Sequence, residues 1–188
     1  MRIGIPKERR PGETRVAATP ETVKKLVKAG HEVLVEREAG VASDITDAAY
    51  EEAGAQIVDT AGALGAELVA KVRGPMEEEL PQLKAGSTLL GMLNPHHADS
   101  LARLAATGVT AFALEAAPRT TRAQSLDVLS SQANIAGYKA VLVAANLYQR
   151  FFPMMMTAAG TAKAARVVIL GAGVAGLQAI ATARRLGA

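Results

Sequence analysis

The stretch from Arg166 to Gly176, RVVILGAGVAG, decides the fold class of this chain. Its apolar first half is typical of a buried parallel strand, and the pattern from Val174 to Leu186 predicts a helix directly after it. Three glycines between them form a G-x-G-x-x-G motif. In this context the first glycine permits a tight turn, the second lets backbone N–H groups approach a pyrophosphate, and the third lets helix and strand pack closely. We therefore predict a dinucleotide-binding turn made by Gly171, Ala172, Gly173, Val174, Ala175 and Gly176.

The composition is that of a globular protein, and it excludes several classes of function. Of the 188 residues, 49% are hydrophobic and 21% are charged, so disorder is not expected. Aromatic residues make up 3% and the formal net charge is +3, which gives little support for nucleic-acid binding or for a basic lipid-binding patch. Because the chain has no cysteine, disulfides, thiol catalysis and cysteine-bound zinc are excluded.

Other patterns bear on targeting, membranes and metals. The N-terminal residues MRIGIP lead directly into a strand and contain no signal-peptide segment. Residues 167–183 carry no charge and approach the length of a membrane span, but their glycines divide them into strand, turn and helix, which favours a buried α/β unit. The 3 histidines do not share metal-ligand spacing with nearby carboxylates, so no metal site is predicted.

Strand-like and helical patterns alternate along the N-terminal half of the chain, which indicates a parallel sheet with crossover helices. Helices are predicted at residues 20–29, 47–53, 77–83 and 98–106. Thr19 is the predicted N-cap of the first of them. Strands are predicted at residues 3–5, 32–35, 56–58, 68–72, 88–92 and 110–114.

A long Ala-rich helical pattern, from Leu126 to Arg150, separates two regions of the chain and ends at Phe151-Phe-Pro153. Small residues at 157–163 predict a linker. The predicted fold is α/β, with two Rossmann-like parallel-sheet domains joined by a long helix and the second domain truncated. The predicted divisions are a first α/β domain at 1–126, a connecting helix at 127–150, and a linker with the first strand–helix unit of an NAD-binding Rossmann domain at 151–188.

Four stretches together resemble one family. They are residues 1–16 (MRIGIPKERRPGETRV), 118–131 (PRTTRAQSLDVLSS), 134–138 (NIAGY) and 157–188. These stretches are similar to the NAD(H)-binding domain I at the N-terminus of the alpha subunit of proton-translocating NAD(P) transhydrogenase. The RAQSLD loop is the specific element of the resemblance, since the glycine motif alone occurs in many families.

Alanine dehydrogenase is a related family and the alternative interpretation. Its members share the N-terminal motif and the Rossmann unit, and a Leu-His pair in them brings a histidine to pyruvate. The corresponding place here reads Leu93-Asn94, and an asparagine cannot titrate near neutral pH. Arg15 and Lys71 match the substrate-carboxylate positions of alanine dehydrogenase, but transhydrogenases also contain them, so these two residues do not decide.

The resemblance implies roles for the loop before the long helix. It places Arg119, Gln124, Asp127 and Ser130 around the nicotinamide and ribose of NAD(H), with Arg119, Gln124 and Asp127 as the catalytic candidates. In the family, Gln124 faces the second nucleotide. Tyr138 is expected to line the cleft. Other interpretations remain open, because an Asp at a helix start commonly interacts with the helix dipole and a Ser commonly caps the helix.

The resemblance also implies the activity and the partners. An NAD(H)-binding component would pass hydride between NADH and NADP+, with NADP(H) held on a partner domain or beta subunit. A separate membrane domain would couple this transfer to proton translocation, which places the chain on the cytoplasmic side, peripheral to the inner membrane, in a complex that we expect to contain a homodimer. A non-catalytic nucleotide-binding or assembly module is the third hypothesis.

The position of the glycine motif near Ala188 leads to a further expectation. The acidic residue that binds the ribose follows such a motif by about 20 residues, which is beyond this sequence. We therefore expect the isolated 188-residue chain to bind NADH weakly and to be inactive on its own. Calorimetric titration with NADH checks this expectation.

Overall fold

A computed structural model describes residues 1–118 and 120–188 of the chain. The described residues divide into two compact units, Met1–Ala117 and Pro118–Ala188. The domain divisions at 1–126, 127–150 and 151–188 stay a prediction. Among the described residues, no helix combines the length and the apolar character needed to cross a membrane.

The first unit is built on a six-stranded sheet in which every pair of neighbours is parallel. The strand order is β3-β2-β1-β4-β5-β6, so the order reverses between β1 and β4, as in the Rossmann fold. The predicted α/β class and Rossmann-like parallel sheet are therefore confirmed. The strands are β1 Arg2–Ile5, β2 Glu32–Glu36, β3 Gln56–Val58, β4 Leu68–Arg73, β5 Thr88–Met92 and β6 Thr110–Ala113.

Four helices belong to this unit: α1 Pro20–Lys28, α2 Asp47–Glu52, α3 Thr60–Leu64 and α4 Ala98–Ala106. The predicted N-cap of α1 is confirmed, since Thr19 Oγ1 accepts the N–H of Thr22. The helix predicted at 77–83 is wrong, because only a single 3-10 turn forms there, at Leu80–Gln82. Pro81 disfavours the α conformation of the residue before it, and the carboxylate of Glu79 turns inward to the core.

Successive side chains of the strands point to opposite faces of the sheet and form two apolar clusters. On one face Ile3, Ile5, Val33 and Val35 pack with α1 and α2 residues, and the hydroxyl of the buried Tyr50 donates to the carbonyl of Ala18 at 2.8 Å. The other face is covered by α3 and α4, and its cluster contains Leu34, Leu64, Val69, Leu89, Leu93 and Leu104.

The second unit contains α5, at Val128–Leu147, and α6, at Val174–Arg185. Between these helices lies a hairpin of β7 Met155–Thr157 and β8 Gly160–Ala162. Most of the residues at 157–163, where a linker is predicted, thus belong to this hairpin, and the linker itself stays a prediction. Gly160 adopts φ +137°, a conformation that lets the short turn close.

The strand predicted at 166–170 is also wrong, because no described segment forms a sheet ladder with it. Val168 and Leu170 are 84% and 95% exposed. A parallel strand is stabilised by hydrogen bonds to a neighbour that is distant in sequence, and apolar composition alone does not supply them. The helix predicted after the glycine motif does form, since its hydrogen bonds are internal.

Candidate functional site

The glycine turn before α6 has the geometry that the motif predicts. Gly171 has φ +102°, which favours glycine. A Cβ on Gly176 would lie 2.0 Å from the carbonyl oxygen of Gly171, so only glycine fits there. A Cβ on Gly173 would meet nothing within 4 Å. The turn therefore keeps open space beside its second glycine and close packing at its third.

The N-terminus of α6 faces this turn without a side-chain cap. Gly173 is the N-cap residue of the twelve-residue helix and has no side chain to accept the first N–H groups. The first N–H groups of a helix have no partner within it, and they form the positive end of its dipole. An anion such as a pyrophosphate is stabilised at such a helix end.

Helix α5 packs closely on the same turn. A Cβ on Gly137 would lie 2.1 Å from the carbonyl oxygen of Ala175, so glycine at this position lets the two backbones approach. A cavity of about 460 Å³ lies between the start of α5 and the turn. Its wall is formed by Leu129, Ser130 and Ala133 of α5 and by Leu170, Gly171, Gly173, Val174, Ala175 and Gly176.

Ser130 and Asp127 meet at the start of α5. Asp127 Oδ1 accepts the N–H of Ser130 at 2.9 Å, and its Oδ2 accepts the Ser130 hydroxyl at 2.7 Å. Asp127 is thus the N-cap of α5 and orients the Ser130 hydroxyl. Ser130 lies in the cavity wall whereas Asp127 does not, so of this pair only the serine reaches the space beside the glycine turn.

The other residues predicted for the site lie outside the cavity wall. Gln124 lies in a 3-10 segment, Thr121–Leu126, with an exposed side chain, and its carbonyl accepts the N–H of Asp127 at 3.2 Å. Tyr138 is half exposed on α5, and Ala172 does not contact the cavity. Arg119 falls outside the described residues. The structure thus brings together Ser130 and five of the six predicted turn residues.

Leu129 and Ala133 belong to the cavity wall and were not predicted from the sequence. They are four residues apart, so they share one face of α5. This spacing was present in the sequence, but an apolar pair on a helix more commonly marks a core face than a ligand cavity.

In the first unit, a buried cation lies at the carboxyl end of β4. Lys71 Nζ is 2.7 Å from Glu79 Oε1 and 3.8 Å from Glu8 Oε2, and all three side chains are almost fully buried. Glu8 also accepts the backbone N–H of Val72 at 2.6 Å. Burial raises the pKa of Glu8 above its ordinary value, against the opposing effect of Lys71. Two carboxylates of the chain itself therefore neutralise this lysine.

A second cation of this unit is paired in the same way. Arg15 donates to both oxygens of Glu13, at 2.7 and 2.6 Å. These hydrogen bonds, opposed to some extent by burial, lower the pKa of Glu13 to about 2, so Glu13 is ionised at neutral pH. Arg15 and Lys71, the two positions that match the substrate-carboxylate positions of alanine dehydrogenase, thus both already hold a carboxylate of the chain itself.

The loop after β5 contains Asn94 in a left-handed conformation, with φ +54°. Its N–H donates to Glu115 Oε1 at 2.6 Å, and the N–H of Leu93 donates to Glu115 Oε2 at 3.1 Å. His97 lies further along the same loop, and its Nδ1 forms a hydrogen bond with Ser100 at the start of α4. No imidazole stands at the Asn94 position.

Two protein-family models match the chain. The model described as "Alanine dehydrogenase/PNT, N-terminal domain" matches residues 4–136, and "Alanine dehydrogenase/PNT, C-terminal domain" matches residues 140–188. The chain belongs to the alanine dehydrogenase/PNT family. The resemblance identified from the sequence is confirmed at this level, and the family contains two kinds of enzyme.

Within the alanine dehydrogenase/PNT family the chain is more similar to transhydrogenases. An NAD(P) transhydrogenase subunit alpha polypeptide from Rhodospirillum rubrum is 54% identical over 198 residues, which include all of this chain and 51% of that protein. Alanine dehydrogenase from Mycobacterium tuberculosis is 38% identical over 196 residues, covering all of this chain and 52% of that protein.

Solved structures give the same ranking. Transhydrogenase from Sinorhizobium meliloti has a TM-score of 0.97 at 51% identity, and the match covers all of this chain and 57% of that one. An L-alanine dehydrogenase has a TM-score of 0.90 at 33% identity, with 53% of that chain covered. The chain thus spans about half the length of these relatives.

Proposed function

We propose that the chain is the NAD(H)-binding component of a proton-translocating NAD(P) transhydrogenase. In this role it passes hydride between NADH and NADP+ held on a partner domain. The observation that carries the proposal is the cavity that joins Ser130 to the glycine turn and the uncapped N-terminus of α6. The higher identity to transhydrogenase alpha subunits supports the same choice within the family.

The residues present fit a dinucleotide. The open space beside Gly173 admits a pyrophosphate against the backbone, and the N–H groups at the start of α6 are directed to such an anion. The hydroxyl of Ser130, oriented by Asp127, offers a hydrogen-bonding group on the opposite wall of the cavity. NADH, when bound, supplies the hydride, and the protein needs only to position two nicotinamides and exclude water.

Three further residues receive roles within this proposal. Arg119 and Gln124 belong to the segment that would approach the nicotinamide, and Gln124, which is exposed, would face the second nucleotide. Asp127 would act by holding Ser130 in place and by accepting a hydrogen bond from the carboxamide. No general acid is required, since no proton moves in the hydride step.

Alanine dehydrogenase activity is disfavoured by three observations. Arg15 is bound by Glu13 and Lys71 by Glu79, so a 2-oxo acid carboxylate would have to displace carboxylates of the chain itself. Asn94 has no titratable group to exchange a proton with substrate. These features favour hydride transfer between nucleotides over oxidative deamination.

The test uses the intact protein together with the NADP(H)-binding partner domain. With NADH and thio-NADP+ we expect reduction of the thio-nucleotide, dependent on both proteins, and with alanine and NAD+ we expect no NADH. Robust alanine oxidation would replace the proposal by alanine dehydrogenase. Binding of NADH with no transfer at any ratio of the two proteins would leave a nucleotide-binding module.

Replacement of Ser130 tests whether NADH binding depends on the side chain in the cavity wall or only on the structure at the start of α5. We expect Ser130→Ala to weaken NADH binding about fivefold, because one hydrogen bond to the ligand is lost. Ser131→Ala is the matched control: its hydroxyl bonds the carbonyl of Asp127 and does not reach the cavity. Fluorescence titration with NADH measures both variants, and equal weakening in the two would contradict the role of Ser130.

The partners follow from the same proposal. We propose a complex with a beta subunit and a membrane domain, with this chain on the cytoplasmic side and peripheral to the inner membrane. A homodimer is supported by the exposed apolar residues at the end of α5 and on the hairpin, among them Leu147 at 72% and Met156 at 73% exposure. Sedimentation equilibrium of the intact protein measures whether it dimerises.

A further inference from the structure

The two units of the chain differ in the sign of their charge. Asp127 is the only acidic residue in the sequence of the second unit, although the whole chain contains 18. The basic residues of this unit are Arg119, Arg122, Lys139, Arg150, Lys163, Arg166, Arg184 and Arg185. The formal net charge of +3 therefore combines a strongly basic second unit with a first unit that contains more acidic than basic residues.

The positive charge of the second unit is not neutralised by ion pairs. We define its basic surface as Arg122, Lys139, Arg150, Lys163, Arg166, Arg184 and Arg185, all of which are exposed. Ion pairs between residues that the structure describes lie in the first unit, and none of these seven side chains takes part in one. The negative end of the α6 dipole accounts for Arg184 and Arg185 in its last turn, but not for the basic residues outside that turn.

The cavity beside the glycine turn carries no charge in the described part of its wall. None of the described residues that line it is ionisable, and Ser130 has their only polar side chain. The pyrophosphate of a dinucleotide is a dianion, so backbone N–H groups and one hydroxyl of this wall would face it. Positive charge has to act on it from further away. Arg184 and Arg185 lie in the last turn of α6, about 15 Å along the helix axis from Val174 at the turn.

We propose that the basic surface of the second unit attracts anionic dinucleotides to this cavity through its electric field, without contacting the bound ligand. This inference rests on the proposed NADH role and deepens it. A field of this kind raises the rate of association by about 10-fold to 1000-fold, because it acts on the ligand before contact. An arginine about 15 Å away acts on the ligand in 0.01 M salt, where the Debye length is about 30 Å, and is screened in 1 M salt, where that length is about 3 Å.

Stopped-flow mixing of the intact protein with NADH measures the association and dissociation rate constants in 0.01 M and in 1 M salt. We expect the unchanged protein to associate about tenfold more slowly in 1 M salt. The double variant Arg184→Gln, Arg185→Gln should associate about threefold more slowly than the unchanged protein in 0.01 M salt, as Coulomb's law in water gives for two charges at this distance. In 1 M salt the two proteins should associate equally fast, and their dissociation rates should agree in both buffers. Glutamine has a helix propensity close to that of arginine, so α6 should stay folded.

Lys24→Gln with Lys28→Gln is the matched control. Both lysines are exposed on α1, and neither forms an ion pair with a described residue, so this variant removes the same charge from the first unit. Its association rate should differ from that of the unchanged protein by less than about 1.5-fold in 0.01 M salt.

Three results would overturn this role of the basic surface while leaving the NADH site in place. One is an association rate that does not depend on salt. Another is a defect of the arginine variant that persists in 1 M salt or appears as faster dissociation, since either would indicate direct contact with the ligand. The third is equal slowing in the lysine control, which would assign the effect to the net charge of the whole protein. An intact protein that does not bind NADH would instead remove the proposed function and this inference together.

Discussion

A Gly173→Val variant of the intact protein is expected to bind NADH about a hundredfold more weakly than the unchanged intact protein, a loss of about 2.7 kcal/mol. The added side chain has room in the folded protein, since a Cβ there meets nothing within 4 Å. It would occupy the open space that the pyrophosphate needs and would cover the first N–H groups of α6. Calorimetric titration with NADH measures the loss.

The control for this prediction is a glycine with similar room elsewhere. Gly74 is in the first unit, and a Cβ on it meets its nearest atom at 3.7 Å, an ordinary van der Waals contact. We expect Gly74→Ala to leave NADH binding unchanged, whereas Gly173→Ala weakens it about tenfold. Thermal unfolding should be unaltered in both. Undiminished NADH binding by Gly173→Val would remove the glycine turn from the cofactor site.

Gly137→Ala is expected to destabilise the second unit by about 3 kcal/mol, against the trend of helix propensity. In the middle of a helix, glycine to alanine alone would stabilise by about 1 kcal/mol. The new Cβ would lie 2.1 Å from the carbonyl oxygen of Ala175, however, so α5 and α6 would have to separate. Forcing extra atoms into a packed contact costs about 1–3 kcal/mol or more, and this contact is to backbone that cannot turn aside.

Hydrogen exchange of the α5 and α6 amides under increasing denaturant measures this change in the free energy of opening. Ala136→Gly, at the adjacent exposed position of α5, is the control and should cost only the propensity difference of about 1 kcal/mol. Stabilisation by Gly137→Ala would show that the two helices do not pack as closely as described. We also expect weaker NADH binding in Gly137→Ala, because the glycine turn moves with α6.

The features that could be predicted from the sequence depend on neighbours along the chain. The glycine turn and α6 are specified by residues 171–186 alone, and the N-cap of α1 by Thr19 and the helix after it. The strands of the six-stranded sheet were predictable because most of the apolar runs alternate with helical patterns, which is typical of a parallel sheet.

The predictions that proved wrong concern features that depend on contacts between distant residues. Residues 166–170 have the composition of a strand but lack a partner among the described residues. The helix expected at 77–83 gives way because Glu79 is drawn inward to Lys71 and to the N–H of Met76. At the candidate site, Ser130 could be predicted from the resemblance. Leu129 and Ala133, which line the same cavity, could be identified only once the structure showed how α5 packs against the turn.

The buried carboxylate of Glu8 bears on which of the two units could receive a nucleotide. In a sheet of this strand order the crevice between β1 and β4 is where a nucleotide would ordinarily enter. Here the chain after β1 is Pro6-Lys7-Glu8 rather than a glycine turn, and Glu8 covers the N–H groups of Val72 and Arg73 at the end of β4. A phosphate at these N–H groups would have to displace a carboxylate of the chain itself. At the end of β4 the crevice thus keeps its backbone N–H groups for Glu8, whereas the glycine turn of the second unit leaves those at the start of α6 without a side-chain cap.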